Sequence, residues 1–412
     1  MLAVAVLSFG AALPAADSAQ AASRFCNNLK TELRLGAGEV GLLVADLGSG
    51  RELCANNAGK RLILASNAKL FTTAALLGRL KPSTRLATTV WRVGPIDRRG
   101  TLRGDLYLRG AGDPALAMPA YAKALRPQVA TNLLALRGRV RASGIKRVTG
   151  RLYADDSIFD RRRGVPDSNW GTSPYIGPLS GLALNSGFTG PDARTFAADP
   201  AYLAAQKLGR SLSGAGLKLR PRVGVQPLPA AGRQRRRIAV VRSPPLSLLA
   251  EQTNVHSDNF FAETLLKLLG AKTSGNGTTK AGARFVGRFA RSLGSNVVAV
   301  DGSGLSRGNR ASAREVVKLL GAVSGKPYGK AFRGSLPLTS RDGTVADRMH
   351  GTAAERRCEV KTGTLTGVSA LSGYCETRSG RQVAFSILMN SVGDSTSARY
   401  RQDRIAARIA GL

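Results

Sequence analysis

Hydrophobic and polar positions follow different patterns in the middle of the chain and at its two ends. Residues 40–53 (VGLLVADLGSGREL) predict a strand, a glycine-containing turn and a second strand. Residues 66–80 predict a helix, and residues 245–271 predict two helical pieces with a polar break between them. From residue 85 to residue 242, short strands alternate with glycine and proline turns. The sequence then becomes strand-rich again and ends in a basic helix from about Thr396.

This change of pattern predicts a split domain with a second domain inserted into it. The chain has 412 residues, which exceeds the usual size of one domain. We assign residues 22–87 and 243–412 to the split domain, an α/β (α+β) unit whose sheet is flanked by helices. We assign residues 88–242 to the inserted domain, which its short strands predict to be a strand-rich α+β unit.

The N-terminal segment predicts export. Residues 2–13 are apolar, Pro14 interrupts them, and Ala19-Gln20-Ala21 matches a small-x-small cleavage site. The basic residues that usually open such a signal are missing, and a short membrane anchor is the alternative, although the apolar run is too short to span a bilayer. We therefore predict a signal peptide over residues 1–21 and an extracytoplasmic protein, whether periplasmic, wall-associated or secreted.

The cysteines agree with an oxidising compartment. Cys26 and Cys54 flank the first predicted strand, and Cys358 and Cys375 flank a predicted hairpin. Local pairing within each couple is the simplest of the three connectivities that four cysteines allow. The sequence has only two histidines, and it lacks cysteines and histidines at metal-ligand spacing, so we expect neither a metal nor another cofactor.

The charge of the chain is strongly positive, at +35. Such an excess attracts polyanions, and anionic wall polymers are one candidate partner, while a solvated basic surface is the alternative. Aromatic residues make up only 5% of the sequence and do not interleave with the basic clusters, among them residues 221–237 (PRVGVQPLPAAGRQRRR). We therefore expect no nucleic-acid partner.

Three short motifs that carry catalytic side chains occur in a fixed order along the chain. They are Ser66-x-x-Lys69, Ser257-Asp258-Asn259 and Lys361-Thr362-Gly363, a set found in class A β-lactamases and penicillin-binding proteins. A second S-x-x-K sequence at residues 143–146 lies where a predicted helix ends. Ser66 instead opens a long apolar helix, in which side chains three residues apart share a face. Position therefore favours the first S-x-x-K over the second.

The chemistry of these residue types predicts a nucleophilic serine activated by an amine. Ser66 at a helix N-terminus lies in a field that favours developing negative charge, and Lys69 is within reach of its proton. A lysine acts as a base at neutral pH only if its pKa is lowered, which burial and a second cation, Lys361, would do. Ser257 would relay a proton to the leaving amine, and Asn259 would orient Lys69 and the substrate backbone.

The predicted hairpin around Lys361 provides the other wall of the site. Side chains alternate along a strand, so Lys361 and Gly363 share one face while Cys358 and Thr362 share the other. Gly363 would leave room for a peptide lying along the strand as an added β-strand. The backbone N–H groups of Thr364 and Ser66 would form the oxyanion hole.

Longer blocks extend the similarity beyond the motifs. Residues 103–116 (RGDLYLRGAGDPAL), 150–160 (GRLYADDSIFD), 300–309 (VDGSGLSRGN) and 360–374 resemble blocks of the low-molecular-mass class C penicillin-binding proteins, the D-alanyl-D-alanine carboxypeptidase/endopeptidase family. The resemblance implies a penicillin-binding/β-lactamase-like transpeptidase domain with an inserted domain. It also implies roles for particular residues. By resemblance, Ser66 is the acylated nucleophile, Lys69 is its base, and the other site residues are Ser257, Asn259, Lys361, Thr362, Gly363 and Thr364. A substrate side-chain pocket contains Asp155, for which the adjacent Asp156 is the alternative, together with Arg307 and Leu365.

The resemblance implies a hydrolase that cleaves D-Ala–D-Ala bonds in peptidoglycan stem peptides and that β-lactams inhibit covalently. Two alternatives are a serine β-lactamase and a catalytically idle wall-binding protein. Rapid deacylation in class A β-lactamases needs a glutamate after the Ser-Asp-Asn motif, and no glutamate lies between Glu263 and Glu315. The intact motif residues argue against an idle protein.

Overall fold

A computed structural model of the chain describes residues 15–34, 38–125, 129–219, 222–230 and 234–412. Residues 1–14, which hold most of the predicted signal peptide, lie outside the described residues. Among the described residues, none of the helices combines the length and the apolar character that crossing a bilayer requires.

The structure contains the predicted helices and strands and adds helices that the sequence patterns did not predict, among them one before the first strand. The helices are α1 (Ala15–Arg34), α2 (Ala68–Leu80), α3 (Pro119–Leu125), α4 (Ala135–Ala142), α5 (Pro200–Gly214), α6 (Leu246–Val255), α7 (Asn259–Ser274), α8 (Thr279–Ser292), α9 (Ala313–Ser324), α10 (Gly329–Arg333) and α11 (Ser395–Ala410). The strands are β1 (Glu39–Asp46), β2 (Glu52–Asn56), β3 (Leu62–Ile63), β4 (Arg85–Val93), β5 (Thr101–Leu102), β6 (Asp105–Arg109), β7 (Leu116–Ala117), β8 (Thr131–Asn132), β9 (Arg147–Val148), β10 (Leu152–Asp155), β11 (Lys218–Leu219), β12 (Val223–Val225), β13 (Arg235–Pro245), β14 (Arg310–Ala311), β15 (Cys358–Leu365), β16 (Val368–Glu376) and β17 (Gln382–Asn390).

The first large sheet joins the two ends of the chain. Its strand order is β15-β16-β17-β1-β2, and every neighbouring pair is antiparallel. Along β1, Leu42 and Val44 pack into one core with α1 and α11, while Leu43 and Ala45 face a second core with α2, α6, α7, α8 and α9. The alternation is the period of two that a strand buried on both faces requires. The predicted α/β sandwich of a sheet between helices is confirmed.

Both disulfides pair locally, as predicted. Cys26 in α1 is bonded to Cys54 in β2, and Cys358 in β15 is bonded to Cys375 in β16. The second couple occupies directly opposite positions of the hairpin. Cys358 belongs to the core on the α1 and α11 side, so this bridge lies on the face away from α2.

The second large sheet belongs to a strand-rich domain with a core of its own. Its order is β12-β10-β6-β4-β13, with β4 antiparallel to both neighbours and β10 parallel to both. Helices α4 and α5 supply Leu136, Val140, Leu208 and Leu212 to the core beneath it. Strands β4 and β13 are paired at the point where the chain enters and leaves this domain. The exact division at residues 88 and 242 stays a prediction.

Candidate active site

Ser66 lies in a short turn that is held between two elements of the first sheet. The predicted helix begins with a 3₁₀ turn, Ala65–Asn67, which continues directly into α2. Asn67 donates from Nδ2 to Ser372 Oγ in β16 at 3.0 Å, so the turn is fastened to the sheet. Ser66 is half-buried while its neighbours in the chain are buried. The turn therefore presents a single hydroxyl at the surface of a rigid core.

Gly363 allows strand β15 to close on this turn. A Cβ at Gly363 would lie 2.9 Å from the carbonyl oxygen of Leu64 and 3.1 Å from the backbone nitrogen of Ser66. From the sequence, we interpreted the absence of a side chain at Gly363 as room for a peptide substrate lying along the strand. The contacts give a different reason, because the space beside Gly363 is taken by the serine turn itself.

Lys69 points at Ser66 from one helical turn further on, as its spacing predicts. Its Nζ lies 3.1 Å from Ser66 Oγ, 2.7 Å from Asn259 Oδ1 and 2.6 Å from the carbonyl oxygen of Ser303. The side chain is completely buried. The three oxygens match the three hydrogens of an ammonium group, so the lysine is held in one orientation.

A loop after α8 supplies the third of these oxygens. In this loop, Asp301 accepts hydrogen bonds from the backbone of Gly304 and Ser306. Glu263 in α7 accepts hydrogen bonds through one carboxylate oxygen from the backbone N–H groups of Gly302 and Ser303, at 2.8 and 2.7 Å. The buried carboxylates thus fix the loop that aims the Ser303 carbonyl at Lys69.

Burial dominates the electrostatics of this lysine. It lowers the pKa of Lys69 to about 8, even though the carboxylates of Asp301, Glu263 and Asp258 act in the opposite direction. Roughly a tenth of the amine is therefore uncharged at pH 7, far more than for an ordinary lysine. The second cation expected from the sequence does not contribute to this lowering. Repulsion instead acts on Lys361, whose pKa is held well below its usual value by burial and then by the charge of Lys69.

The two carboxylates near Lys69 are themselves perturbed. Burial, followed by the charge of Asp301, raises the pKa of Glu263 to about 8, and burial raises the pKa of Asp301. Glu263 therefore carries a proton through much of the neutral range. Its second carboxylate oxygen has no hydrogen-bond partner among the described residues, which agrees with a neutral acid rather than a buried anion.

Lys361 and Ser257 meet on the far side of the site. Lys361 Nζ donates to Ser257 Oγ at 3.0 Å and to the carbonyl oxygen of Thr362 at 2.9 Å. Ser257 lies in the break between α6 and α7 with a φ of 54°, a conformation that most residues avoid. The next residue, Asp258, caps α7 by accepting from the backbone of Phe261.

An open cavity of about 380 Å³ lies above Ser66. Its lining residues are Ser66, Ser257, Thr344, Arg348, Thr362, Gly363, Thr364 and Arg399. Thr362 Oγ1 donates to Thr344 Oγ1 at 2.8 Å, and Arg348 is paired with Asp403 at 2.7 Å. The cavity thus joins members of all three motifs with two arginines that no motif announced.

Two of the three predicted pocket residues lie together at the tip of the β15–β16 hairpin. Arg307 donates from Nη1 to the carbonyl oxygen of Thr366 at 3.0 Å. Leu365 packs against the small cluster that contains Ala65, the residue before the serine. The backbone N–H of Arg307 donates to Asp167 Oδ2 at 3.0 Å, so a loop of the strand-rich domain also reaches this point.

Asp155, the third predicted pocket residue, is engaged elsewhere. Its carboxylate is 2% exposed and accepts from Ser157 Oγ at 2.6 Å and from the backbone of Leu228 at 3.0 Å, and it is paired with Arg109 at 3.2 Å. All these partners belong to the strand-rich domain. The structure does not join Asp155 to the other predicted site residues, because its carboxylate is used to close its own sheet.

The strand-rich domain nevertheless contacts a side chain of the candidate site. Asn259 Nδ2 donates to the carbonyl oxygen of Tyr175 at 3.1 Å, while its Oδ1 accepts from Lys69. Further along α7, the fully buried Lys267 is paired with Asp160 at 2.6 Å. These contacts dock the loop that follows β10 against α7 and add a wall to the site.

Comparison with known proteins identifies the family of this chain. Residues 26–198 and 190–411 match the D-Ala-D-Ala carboxypeptidase 3 (S13) family. This chain belongs to that family. A D-alanyl-D-alanine carboxypeptidase of Actinomadura sp. (strain R39) is 34% identical, with 90% of this chain and 81% of the relative covered. Carboxypeptidase DacB of Mycolicibacterium smegmatis is 31% identical, with coverage of 88% and 78%. The chain is thus a hydrolase of the peptidase class.

Two solved structures share the fold of this chain. Penicillin-binding protein 4 (DacB) of Haemophilus influenzae superposes with a TM-score of 0.76 at 20% identity, covering 93% of this chain and 98% of that protein. The predatory endopeptidase Bd3459 of Bdellovibrio bacteriovorus, in a form acylated by penicillin G, gives a TM-score of 0.53 at 19% identity, with coverage of 90% and 92%. The predicted penicillin-binding-protein fold is confirmed.

The motifs of this S13 chain did not reveal several groups that shape its site. Glu263 and Asp301 belong to none of the three motifs, and Tyr175 contributes through its backbone. Glu263 follows Asn259 by one helical turn, and Asp301 lies within a glycine-rich turn. Those positions could have indicated residues that support the motifs, but the contact to Lys69 through Ser303 depends on the tertiary fold.

Proposed function

We propose that this chain is a serine-type D-Ala–D-Ala carboxypeptidase/endopeptidase that cleaves peptidoglycan stem peptides through an acyl-enzyme on Ser66. The observation that carries the proposal is the contact of Lys69 Nζ with Ser66 Oγ at 3.1 Å, by an amine whose pKa is lowered to about 8. Such an amine has an appreciable uncharged fraction at neutral pH and lies within reach of the serine proton. The names of the carboxypeptidase relatives support the substrate class.

The proposed reaction has two steps. Lys69 takes the proton of Ser66 as Oγ bonds to the carbonyl carbon of the penultimate D-alanine. The bond to the leaving amine then breaks, and the proton taken up by Lys69 passes to that amine through Ser257, which Lys361 contacts at 3.0 Å. Water next attacks the ester while Lys69 takes one proton from it, that proton returns to Ser66 Oγ as the ester bond breaks, and a free carboxylic acid is released. The backbone N–H groups of Thr364 and Ser66 are the proposed oxyanion hole.

The proposed substrate contacts follow the cavity. Thr362, Gly363 and Thr364 present the edge of β15 to the peptide, and Arg307 and Leu365 lie next to the place where a stem-peptide side chain would extend. Asp155 remains a prediction of the family resemblance that its observed contacts do not support. The proposed location is extracytoplasmic, in agreement with the two disulfides. Anionic wall polymers are a proposed second partner.

Covalent penicillin binding tests the proposal directly. We expect purified protein to be labelled by a fluorescent penicillin and Ser66→Ala to lose the label completely. A penicillin-acylated form is known for the relative Bd3459. Labelling that survives in Ser66→Ala would contradict the assignment of the nucleophile. Digestion of crosslinked muropeptides, with the products identified by mass, would separate carboxypeptidase from endopeptidase activity, since both cut after the same D-alanine.

The β-lactamase alternative predicts rapid deacylation. Glu263, the nearest glutamate after the Ser-Asp-Asn motif, accepts two backbone hydrogen bonds in its loop and is not aimed at Ser66. We therefore expect a chromogenic cephalosporin to acylate the enzyme once and to turn over only at a trace rate. Sustained turnover would favour the lactamase instead.

A further inference from the structure

A cavity in the strand-rich domain concentrates arginines without any carboxylate. The cavity has a volume of about 770 Å³ and lies between the edge strand β13 and the end of α4. Its lining residues are Arg92, Ile96, Arg139, Ala142, Ser143, Arg236, Arg237, Ile238, Ala239, Val240 and Arg242. Five of these side chains are guanidinium groups, and among the described residues neither an aspartate nor a glutamate lines the cavity.

Two of the arginines occupy a position that costs stability. Arg236 in β13 is directly opposite Arg92 in the antiparallel partner β4. Like charges at directly opposite positions of a sheet repel one another, and the usual partner would be a carboxylate or an uncharged side chain. Arg92 also donates from Nη1 to the carbonyl oxygen of Gly94, and an anion lying between the two guanidinium groups would offset their repulsion.

The cavity arginines differ from an adjacent arginine that has a structural role. Arg235 donates to the carbonyl oxygen of Pro229 at 2.7 Å and lies over the ring of Trp91 at 5.5 Å. In the part of the chain that the structure describes, Arg139, Arg236, Arg237 and Arg242 form neither side-chain hydrogen bonds nor salt bridges. A single charge on an edge strand suffices to prevent strand pairing, so protection of the edge does not require the convergence of five.

We propose that this arginine cavity binds an extended phosphate-bearing polymer of the cell wall. Guanidinium groups recognise phosphate through paired hydrogen bonds, and several of them along one cavity fit a repeating anion. The exposed large apolar residues of the described chain, Tyr175, Tyr202, Leu248, Val298 and Tyr400, do not line the cavity, which argues against a lipid surface. The absence of aromatic lining residues argues against single-stranded nucleic acid, whose bases need stacking partners.

The binding site is independent of the peptidase assignment. None of its lining residues is shared with the cavity above Ser66. Binding to phosphate chains can therefore be measured even if the proposed hydrolysis is wrong, whereas a location in the wall rests on the proposed function. The role of such a site would be to hold the enzyme on the polymer network that contains its substrate.

The test measures binding of labelled linear inorganic polyphosphate to the full chain over a series of salt concentrations. In Arg236→Gln/Arg237→Gln we expect affinity to fall at least tenfold, and the slope of log affinity against log salt to decrease by between one and two. The control Arg161→Gln/Arg210→Gln removes two exposed arginines outside the cavity and is expected to change affinity less than twofold. Equal losses in both double variants would overturn the proposal, as would wild-type protein that does not bind.

Two further measurements guard the interpretation. Arg236→Gln alone relieves the repulsion with Arg92, so we expect it to raise the melting temperature of the free protein by about 1 °C while weakening polyphosphate binding. Arg139 lies in a helix, so Arg139→Gln is expected to weaken polyphosphate binding without changing a side-chain pair of the sheet. Tighter binding per phosphate to single-stranded DNA, or preferred binding to phosphatidylglycerol vesicles, would replace the wall polymer with those partners and overturn the proposal.

Discussion

The site around Ser66 and the arginine cavity both gather positive side chains, but they treat the charge in opposite ways. Lys69 and Lys361 are completely buried, and their amines donate hydrogen bonds to nearby oxygens. Burial lowers the pKa of both. The cavity arginines lie mostly exposed at the edge of a sheet, where a guanidinium keeps its proton. A buried amine can become a base, whereas an exposed guanidinium can only attract anions. Residue type and burial together decide which chemistry a positive charge performs.

The largest loss of acylation is expected when the buried Lys69 is replaced by arginine, the residue type that lines the arginine cavity. Lys69→Arg keeps the positive charge but removes the group that can accept a proton. We expect the rate of acylation by fluorescent penicillin to fall by about 10³-fold or more. Lys69→Met is the matched control, which removes the charge as well. Thermal unfolding of both variants checks that each is folded, and substantial activity in Lys69→Arg would contradict a lysine base.

A smaller effect follows from adding a negative charge beside the same lysine. In the wild-type protein, the amide oxygen of Asn259 lies 2.7 Å from Lys69 Nζ. Asn259→Asp keeps an oxygen at this position but makes it part of a carboxylate. A carboxylate at this distance raises the pKa of the amine by about one to three units. We expect acylation at pH 7 to fall by about 10- to 1,000-fold, and activity to recover at higher pH. Asn259→Ala, which lacks the new charge, should lose activity without this recovery.

The pH dependence of the unmodified protein tests the same point without a substitution. Only the uncharged amine acts as a base, and the pKa of Lys69 is lowered to about 8. Acylation should therefore increase about tenfold for each pH unit below 8 and level off above that value. Binding of polyphosphate should change little over this range, because arginines do not titrate there. A rate that is flat between pH 6 and about 8 would show that Lys69 is already neutral or is not the base.

Glu263 should support the loop that carries Ser303 through its hydrogen bonds more than through its charge. Burial and the charge of Asp301 raise the pKa of Glu263 to about 8, so the side chain is largely neutral at pH 7. Glu263→Gln preserves an oxygen for the backbone of Gly302 and Ser303 and is expected to keep acylation within about threefold. Glu263→Leu removes that acceptor and should destabilise the protein by about 1–3 kcal/mol. Equal activity in the two variants would contradict a positioning role.

The smallest effect on catalysis is expected in the arginine cavity. Arg236→Gln/Arg237→Gln should change acylation by fluorescent penicillin less than twofold, because neither side chain lines the cavity above Ser66. The measurement uses isolated protein and a soluble substrate, so attachment to a polymer does not contribute. A loss of acylation comparable to that of Asn259→Asp would show that the two regions are coupled.

Much of the active site could be predicted because its signals are local. The spacing of Ser66 and Lys69 on one helix, and the alternation of Lys361 and Gly363 along one strand, follow from helix and strand periodicity. The structure brings Ser66, Lys69, Asn259 and Ser303 into contact, and joins Lys361 to Ser257. Both disulfides were also predicted, since each couple flanks a predicted strand or hairpin.

Other features could not be predicted because they depend on what packs against each residue. Gly363 was interpreted as space for a substrate, but its missing side chain accommodates the turn of Ser66. Asp155 was assigned to a substrate pocket by resemblance, yet it pairs with Arg109 inside the strand-rich sheet. The lowering of the Lys69 pKa was attributed partly to Lys361, whereas burial causes it. In each case the sequence identifies the residue type but not its neighbours.

The sequence by itself determined the order of helices and strands, the three motifs, the excess of positive charge and the family. These properties depend on local periodicity and residue identity, which a linear chain displays directly. Only the tertiary structure decided that Lys69 is buried away from water and that Glu263 fixes the loop whose carbonyl contacts Lys69. It also decided that Arg92 lies opposite Arg236. Those facts arise where segments far apart in the chain meet, because desolvation and charge repulsion depend on distances that folding alone creates.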